Sequence, residues 1–392
     1  MDVVILPLPV REAPATERPA RLLIPSCPEE LAPHYDLTLS RTSVDQPMFA
    51  AFDRWLAGAA AARGLSCALI HDGTVHEAVR RLQSGELSIG YHLDYYALWH
   101  LADDPYARLA QAVQDAGGRP VNPPPRSRLF TDKATAHAEL ARHGFGVPET
   151  VLVRPWAPER PLTAAERRRL RLDEPGACVF VKPANGFGGR GVIRTDAAGL
   201  PAALATARLQ YPDDTLLLQR GVACPRLTCD DGVERPAYWR VLCCLGELLP
   251  FWWSQRELEQ GRPAYRELTP AEVRRLGLQA VLDFAAELAE LCGLDWFSTE
   301  ICLGDGAEAS RFRVRCPDGR ERPVVGIDYV NDQCDVDVQS RWPGAVPDAV
   351  VRHVADRFAE AAARQRPAVV LPFPDRTERG SEGAPRRLAG CA

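Results

Sequence analysis

Residues 182–191 read Lys182-Pro183-Ala184-Asn185-Gly186-Phe187-Gly188-Gly189-Arg190-Gly191. The apolar run Cys178–Val181 before them predicts a buried strand, and Val192–Thr195 after them predicts a second strand. Four of the six residues from 186 to 191 are glycine, which is more conformational freedom than a plain hairpin turn requires. We therefore expect a mobile lid whose main-chain N–H groups can close over phosphates.

The spacing of these glycines also matches the pattern G-x-G-x-x-G of dinucleotide-binding folds. That pattern requires a helix directly after the loop, whereas a strand is predicted here. A Walker A loop is excluded as well, because no Gly-Lys-Ser or Gly-Lys-Thr closes the sequence. The loop is therefore interpreted as a phosphate lid between two strands.

Lysine is rare in this chain. Lysine and arginine together number 47, yet the only lysines are Lys133 and Lys182. An ammonium is a compact point charge and a guanidinium is a planar fork, so a site that has retained lysine is expected to need the point charge. Lys133 begins a predicted helix after the N-cap candidates Thr131 and Asp132, and Lys182 ends a predicted strand. We expect both ammonium groups to neutralise phosphate oxygens.

Strands and helices alternate in the first part of the chain, as far as the run Asn122-Pro123-Pro124-Pro125. Such alternation predicts a parallel sheet with right-handed crossovers. The predicted strands are Val3–Leu6, Cys67–Ile70 and Leu87–Leu93, and the predicted helices are Met48–Arg63, ending at Gly64, and Val75–Gln83, ending near Gly85.

The remainder of the chain predicts a second group of elements. A helix from Lys133 to about His143 stops at Gly144, and the capping box that begins at Thr269 opens one long helix ending at Gly293. Residues 155–175 are rich in Pro, Arg and Glu and predict a surface insertion. Further strands are predicted at Thr150–Val153, Thr215–Gln219, Trp239–Leu245, Leu248–Trp253, Trp296–Leu303 and Val324–Val330, and the last twenty or so residues predict a disordered tail.

In this order the motifs resemble the ATP-grasp superfamily, and in particular its glutathione-synthetase-like carboxylate–amine ligases. The resemblance is colinear over about residues 128 to 340. It implies an α/β fold with α+β lobes, namely the ATP-grasp fold with an N-terminal α/β pre-ATP-grasp domain. The implied division is 1–127 for the N-terminal domain, 128–215 for the small lobe with its glycine-rich lid, 216–372 for the large lobe with the metal site, and 373–392 for the tail.

The resemblance also implies ATP and Mg²⁺ as cofactors and assigns residues to them. The implied ATP-binding residues are Lys133, Lys182, Gly186, Gly188, Gly189, Gly191, Gln219 and Val222. The implied metal ligands are Glu300, Asp328 and Asn331, and the implied catalytic arginines are Arg240 and Arg256. Independently of the family, Glu300 and Asp328 interrupt apolar strands, where an ionised carboxylate is costly unless it is paired or bound to a metal. A salt bridge to an arginine is the alternative for each carboxylate.

The spacing of two predicted metal ligands departs from the family pattern. The family commonly places one residue between its last carboxylate and its asparagine, whereas two residues separate Asp328 from Asn331. On a regular strand these side chains would point to opposite faces. Either the strand ends at Val330 or a bulge re-aims Asn331. Asp332 and Asp335 are competing ligands.

Two further departures concern the nucleotide side of the predicted site. Arg220 stands where related sequences often carry an acid, so adenine contacts there are expected to come from the main chain. Tyr238 stands where similar ligases often have Asp. The acid that binds ribose is unassigned, with Asp230, Asp231 and Glu234 as candidates.

Substrate contacts are less evident from the sequence. His92 and Asp94 end a predicted strand of the N-terminal domain, and ligands of open α/β sheets bind at the carboxyl ends of strands. An aromatic packing cluster is an equal alternative for this segment. Arg262, like Arg256, follows the pair Trp252-Trp253, and the two arginines can clamp a carboxylate or an acyl phosphate.

These features predict an ATP-dependent carboxylate–amine ligase that forms an amide or peptide bond through an acyl phosphate and releases ADP and phosphate. Holding the reactants together under a closed lid supplies much of the rate of such a reaction. One alternative is an ATP-grasp small-molecule kinase that phosphorylates a hydroxyl, although no compact basic stripe for a polyphosphate is visible. Another is a nucleotide-binding pseudoenzyme, against which both lysines and the acidic pair argue.

The composition excludes several other classes. A formal charge of −5 over 392 residues offers no basic field for a nucleic acid, and no apolar run approaches the roughly 20 residues that span a bilayer. The chain lacks the basic start of a secretory signal, and its 12 scattered cysteines indicate buried thiols rather than disulfides or a zinc site at Cys224 and Cys229. We expect a cytoplasmic protein with small-molecule carboxylate and amine substrates, no nucleic acid, no membrane, and a homodimer as the candidate assembly.

Overall fold

The computed structural model describes residues 21–156, 160–186, 188–306 and 308–365. The predicted strand Val3–Leu6 and the predicted tail at 373–392 lie outside these residues. Within the described ranges, no helix is long and apolar enough to cross a membrane.

The N-terminal part forms a sheet of four parallel strands, as predicted from the alternation of elements. The strands are β1 (His34–Ser40), β2 (Cys67–Ile70), β3 (Ser88–Asp94) and β4 (Arg119–Val121), and the helices are α1 (Ala50–Ala61), α2 (Val75–Ser84) and α3 (Pro105–Asp115). Their order in the sheet is β2-β1-β3-β4. The interior strand β1 was not among the predicted strands, because polar residues interrupt its apolar ones.

Two helices lead out of this sheet, α4 (Pro124–Phe130) and α5 (Lys133–Arg142). Asn122, with a left-handed φ of 58°, precedes the proline run, and its side chain bonds the main chain of Trp296 through both amide atoms, at 2.5 and 2.9 Å. Asp132 caps α5 as predicted, accepting a hydrogen bond from the N–H of Thr135 at 2.7 Å. The cap places Lys133 in the first turn of α5.

A small antiparallel sheet follows. Its strands are β5 (Thr150–Val153), β6 (Val179–Pro183), β7 (Ile193–Thr195) and β8 (Leu216–Arg220), and its helices are α6 (Ala164–Arg169) and α7 (Leu200–Gln210). The order is β5-β8-β6-β7, with every neighbouring pair antiparallel. The glycine loop therefore joins two adjacent strands, β6 and β7, as predicted. Because β8 pairs here, the small sheet extends to Arg220, past the predicted lobe boundary at 215.

The last part of the described chain forms a six-stranded antiparallel sheet. Its strands are β11 (Tyr238–Cys244), β12 (Glu247–Trp253), β13 (Tyr265–Glu267), β14 (Trp296–Leu303), β15 (Arg313–Arg315) and β16 (Glu321–Asn331), after a short hairpin of β9 (Arg226–Thr228) and β10 (Glu234–Pro236). The helices are α8 (Gln255–Glu259), α9 (Pro270–Leu276), α10 (Gln279–Cys292) and α11 (Asp348–Arg364). The sheet order is β13-β12-β11-β14-β16-β15.

One local prediction is wrong, and a second holds for most but not all of its described residues. The single helix predicted from Thr269 to Gly293 is broken into α9 and α10, because Gly277 takes a left-handed φ of 66° and ends the first of them. The predicted surface insertion at 155–175 contains two buried core residues, Leu170 and Leu172, which pack in the small sheet's core. Its composition is polar, but two leucines attach it to the lobe.

The two faces of the large sheet bury different partners. One face packs on α10, with Trp239 and Phe297 of the sheet in the same core as Phe284 of the helix. The other face packs on the N-terminal sheet and α11, with Trp296 in one core with Tyr91 and meeting Phe358 edge-on at 5.5 Å between ring centroids. The N-terminal sheet is thereby joined to the large sheet, and the loop after β3 and the end of β16 line a common cleft.

Candidate active site

Lys133 lies between the glycine loop and β16. Its Nζ donates a hydrogen bond to the carbonyl of Gly186 and lies 3.8 Å from Oδ1 of Asp328. The main-chain N–H of Lys133 donates to the carbonyl of Ala184 at 3.0 Å, so the first turn of α5 is attached to the end of β6. One ammonium therefore links the base of the lid to a predicted metal ligand.

Lys182 is buried at the end of β6, with 8% of its surface exposed. Its Nζ donates to Oε1 of Gln219 at 2.7 Å and to the carbonyl of Ile327 at 3.3 Å. Burial lowers the pKa of the Lys182 ammonium, and the negative charges of Asp328 and Glu300 oppose that shift. A poorly hydrated cation beside two carboxylates is suited to receive an anion that carries a metal ion.

The glycine loop is fixed at its base and open at its tip. Asn185 is held by Asp214, which accepts from its N–H and its Nδ2 at 2.9 Å each. A side chain at Gly186 would lie 2.6 Å from Cγ of Pro183, so the chain can pass there only without one. Left-handed φ values of 58°, 72° and 75° occur at Gly188, Gly189 and Gly191. The glycines are therefore required by the backbone that the loop adopts.

The strand and hinge assigned to adenine lie at the end of β8. Gln219 is 1% exposed, and Val222 is half-buried in the hinge that follows. Arg220 is buried and paired with Glu308, which is also buried, and with Asp305 at 3.4 Å. The guanidinium of Arg220 is therefore occupied by carboxylates of the loop after β14.

Arg240 and Glu300 are cross-strand partners on β11 and β14. The two form an ion pair, and Tyr238 donates its hydroxyl to the second oxygen of Glu300. Arg240 also donates to the hydroxyl of Tyr265 at 2.6 Å and lies 5.1 Å from the ring centroid of Trp253. Burial alone would raise the pKa of Glu300, but Arg240 and Tyr238 hold it below its usual value. Glu300 thus forms the salt bridge that was the alternative to a metal ligand. Each of its two oxygens still has a lone pair that could bind a metal.

The irregular spacing of Asp328 and Asn331 is accommodated by bulges in β16. Asp328 pairs with Glu300 and Asn331 pairs with Ser298, so three residues of β16 span two of β14. Ser298 and Glu300 point to one face of β14, and the bulge brings their partners onto that face. Of the two expected explanations the bulge is correct, since β16 continues to Asn331.

The competing acids Asp332 and Asp335 have different surroundings. Asp332 is buried at the wall of the cleft, where Trp99 of the N-terminal part donates its Nε1 to Oδ2 at 2.5 Å. Burial raises the pKa of Asp332 to about 7. Asp335 accepts from the N–H of Asp337 at 2.9 Å and shapes the following turn. Asp332, unlike Asp335, lines the cleft together with Lys133 and Asn331.

The structure gives His92 and Asp94 internal contacts. His92 is fully buried, with Nδ1 2.8 Å from Oγ1 of Thr38 and Nε2 3.3 Å from Oγ of Ser40, and burial lowers its pKa to about 3. His92 does not line the cleft, so its position gives no support to the predicted substrate contact. Asp94 accepts from the N–H of Ala97 at 2.9 Å and so shapes the loop that lines the cleft. Asp94 thus holds the loop that lines the cleft without lining the cleft itself.

The arginines that follow β12 lie on an exposed segment. Arg262 is bound by its neighbours, with Nε 2.7 Å from Oε2 of Glu257 and a further hydrogen bond to Gln260. Arg256 is exposed in the short helix α8. Neither residue lines the cleft that contains Lys133 and Asp328.

The candidate ribose acids belong to the β9–β10 hairpin, and each has an arginine partner. Asp230 pairs with Arg275, at 2.7 Å, and Asp231 pairs with Arg235, at 2.8 Å. Glu234 lies 3.7 Å from Arg226. Ribose recognition stays unassigned.

The structure thus brings Lys133, Lys182, Gly186, Gln219, Glu300, Asp328 and Asn331 together from six elements or loops. Three residues near this group were not predicted from the sequence: Tyr329, which bonds Gln219; His137, which bonds Tyr329; and Trp99, which lines the cleft and bonds Asp332. The spacing of His137, one helical turn after Lys133 on the same helix, is a signal that could have identified it.

The donor set fits a hard cation in one specific respect. Oδ1 of Asp328 is buried and has no hydrogen-bond donor among the described residues, although Lys133 lies nearby. Within the described residues, no three His, Cys, Asp or Glu side chains lie close enough together to hold a metal ion by themselves. The candidate ligands Glu300 and Asp328 therefore need the amide oxygen of Asn331 as a third ligand. Carboxylate and amide oxygens with open positions for phosphate and water are what Mg²⁺ prefers.

In sequence comparisons, no family model and no curated protein matches this chain. The fold resembles D-alanine–D-alanine ligase from Bacillus anthracis in complex with ATP, at a TM-score of 0.54 and 10% identity over 86% of this chain and 99% of that one. It also resembles D-cycloserine synthetase, at a TM-score of 0.51 and 20% identity over 83% of this chain and 98% of that one. A RimK-domain ATP-grasp protein from Sphaerobacter thermophilus gives a TM-score of 0.50 and 17% identity over 83% and 98% of the two chains. This chain has the ATP-grasp fold, as the resemblance of its motifs predicted.

Proposed function

We propose that this protein is an ATP-dependent carboxylate–amine ligase. It joins a carboxylate to an amine as an amide or peptide bond, through an acyl phosphate, and releases ADP and phosphate. The observation that carries the proposal is the meeting of Lys133, the lid residue Gly186 and Asp328 at one point between the small and large sheets. A cation, the base of a glycine loop and a carboxylate, from three separate elements, meet where the phosphates and metal of a nucleotide would lie between the two sheets.

ATP is proposed to lie between the small lobe, extended to residue 220 so that it includes β8, and the large lobe that follows it. Lys133 and Lys182 would neutralise its phosphates, and the N–H groups of the glycine loop would cover them. Adenine would contact the hinge at Gln219 and Val222. Lys133 lies 3.8 Å from Asp328, and the charges of Asp328 and Glu300 favour the protonated form of Lys182, so the ammonium groups partly balance these acids when the nucleotide is absent, together with Arg240, which pairs with Glu300.

Asp328, Asn331 and Glu300 are the residues proposed to hold Mg²⁺. When bound, the metal would neutralise charge on the transferred phosphoryl group. The buried, undonated Oδ1 of Asp328 supports this assignment, since such an oxygen is costly without a cation. Arg240 would orient Glu300 and approach the acyl phosphate, and Arg256 and Arg262 are proposed to attract the carboxylate substrate.

The ligase class is supported over hydroxyl phosphorylation by the charge of the cleft. Besides Lys133, the ionisable side chains that line it are His100, Asp328 and Asp332. A wall of this kind accommodates an amine better than a second polyanion. The names of the D-alanine–D-alanine ligase and the D-cycloserine synthetase agree with this class of reaction.

The test is a product assay with Mg²⁺-ATP and pooled amino acids and small carboxylates. Mass spectrometry reads the products, and ADP and phosphate are quantified separately. Hydroxylamine is added in a parallel reaction, because it converts an acyl phosphate to a hydroxamate. A condensed product, free phosphate and a hydroxamate together support the ligase.

The same assay separates the alternatives. A product heavier by one phosphoryl group, without free phosphate, would establish a kinase. Nucleotide binding without turnover in any pool would establish a pseudoenzyme. The Lys182→Met variant, carried through the same reactions, identifies any turnover that does not come from this site.

A further inference from the structure

A buried chain of hydrogen bonds leads away from Lys182 into the protein. Lys182 donates from Nζ to Oε1 of Gln219 at 2.7 Å, and Nε2 of Gln219 donates to the hydroxyl of Tyr329 at 2.9 Å. The hydroxyl of Tyr329 lies 2.7 Å from Nδ1 of His137. All four side chains are at least nine-tenths buried. Four elements, β6, β8, β16 and α5, are linked by this chain.

The hydrogens of the chain can be assigned from the chemistry of its two ends. An ammonium only donates, so Gln219 must present its oxygen to Lys182 and its NH₂ to Tyr329. The hydroxyl oxygen of Tyr329 accepts the bond from Gln219, and the hydroxyl hydrogen is donated to Nδ1 of His137. Nδ1 can accept this bond only if it carries no proton. Burial lowers the pKa of His137 to about 4, so the ring is neutral near pH 7 and can accept. The nearby Thr150 uses its hydroxyl hydrogen on the carbonyl of Pro148, at 2.8 Å.

The consequence concerns the amide of Gln219. A glutamine amide has two nearly isosteric orientations, and one of them would turn its NH₂ toward the Lys182 ammonium. Tyr329 can exclude that orientation only while its hydroxyl hydrogen points away from Gln219, and Nδ1 of His137, at 2.7 Å, is the acceptor that holds the hydrogen there. The residues also sit beside the proposed ATP site: His137 follows Lys133 by one turn of α5, and Tyr329 follows Asp328 on β16.

We propose that Tyr329 and His137 are positioning residues, which hold the Gln219 amide in one orientation and thereby set the position of the Lys182 ammonium for ATP. This inference rests on the proposed function, because ATP is the ligand that Lys182 would meet. Neither residue touches the nucleotide in this role; both act through Gln219.

The scarcity of lysine makes the position of Lys182 directly measurable. Protein labelled with ¹³C at the lysine ε-carbon gives two side-chain signals, because Lys133 and Lys182 are the only lysines. A Lys133→Arg variant assigns them. The expected result is that Tyr329→Phe shifts the Lys182 signal at fixed pH and leaves the Lys133 signal in place, without any nucleotide present. Tyr106→Phe is the matched control, since it removes a hydroxyl bonded to Asp72 at 2.5 Å in the N-terminal part.

A second measurement is the affinity for Mg²⁺-ATP by calorimetry. Tyr329→Phe is expected to weaken it about three- to tenfold, the effect of losing one buried hydrogen bond. His137→Leu is expected to act in the same direction, whereas His137→Asn, which offers an acceptor oxygen near the position of Nδ1, is expected to restore both the affinity and the Lys182 signal.

The outcomes are distinguishable. A Lys182 signal unmoved by Tyr329→Phe, or lysine signals that move together, would overturn the inference while leaving the proposed function intact. A wild-type protein that binds no Mg²⁺-ATP but whose Lys182 signal responds to Tyr329→Phe would overturn the proposed function and retain the network. If Tyr329→Phe does not fold, the pair His137→Leu and His137→Asn decides: equal effects of the two on Lys182 would overturn the inference.

Discussion

The ammonium of Lys133 lies 3.8 Å from Oδ1 of Asp328, although the two residues are almost 200 positions apart in the chain. The same ammonium donates to the carbonyl of Gly186 in the lid. The glycine loop, the start of α5 and strand β16 thus meet at one cation. The predictions below concern what each of these parts contributes.

Replacing Lys182 by methionine should separate stability from ligand binding. Burial lowers the pKa of this ammonium, so the folded state carries a charge that it solvates poorly, and its removal should leave the melting temperature unchanged or higher. Affinity for Mg²⁺-ATP should fall at least about thirtyfold, the usual effect of removing a buried charged partner. Calorimetry and thermal unfolding of the same samples measure both. Near-normal affinity in Lys182→Arg would contradict the argument that this position needs a point charge.

Two glycines of the lid provide a matched pair. Gly189 and Gly191 have nearly the same φ, 72° and 75°, so alanine strains the backbone similarly at both. A Cβ at Gly191 would lie 2.4 Å from the ring of Tyr211, whereas nothing lies within 4 Å at Gly189. Gly191→Ala should therefore reduce kcat/KM for ATP several times more than Gly189→Ala. Adding Tyr211→Ala to Gly191→Ala should recover most of the difference, and equal effects of the two single variants would rule out the contact with Tyr211 as the cause.

The proposed metal ligands can be compared with an acid outside the cleft. Asp328→Asn should raise the Mg²⁺ concentration for half-maximal nucleotide binding about tenfold or more, because a charged oxygen ligand is lost. Asp335→Asn should change it little, since Asp335 caps its own turn. Binding titrations at fixed nucleotide and varied Mg²⁺ give both numbers. A larger effect of Asp335→Asn than of Asp328→Asn would indicate that Asp335, and not Asp328, is the metal ligand.

Asp332 should make stability depend on pH in a specific direction. Burial raises its pKa in the folded state to about 7, above the value of about 3.9 expected when unfolded. Between these two pKa values the folded state binds a proton at Asp332 that the unfolded state has lost. The stability that this proton contributes is therefore complete below the unfolded pKa and is lost as the pH rises through about 7. Asp332→Asn should remove this loss and melt at a higher temperature than the wild type at pH 8, with little difference at pH 4.5. Metal-free samples are compared at both pH values, and a difference independent of pH would show that Asp332 is not protonated on folding.

Several elements could be predicted from local sequence. Left-handed glycines, N-caps and short apolar runs act within a few residues, so β2 at Cys67–Ile70, β14 at Trp296–Leu303 and the capped start of α5 at Asp132 agree with expectation. Where local signals conflicted, tertiary packing decided. The polar segment 155–175 is attached through Leu170 and Leu172, and Gly277 ends a helix that its neighbours would have continued.

The sequence by itself determined the candidate site residues: two lysines, a glycine loop between strands and two acids in apolar strands follow from residue chemistry and spacing alone. The tertiary structure decided how these groups are used. The bulges of β16 place Asn331 on the same face as Asp328. Arg240 bonds one carboxylate oxygen of Glu300, and Tyr238 donates to the other. His92 faces its own domain, and a relay through Tyr329 to His137 lies behind Lys182. Such relations join residues far apart in the chain, and they depend on strand register and burial, which the packing of the whole fold sets.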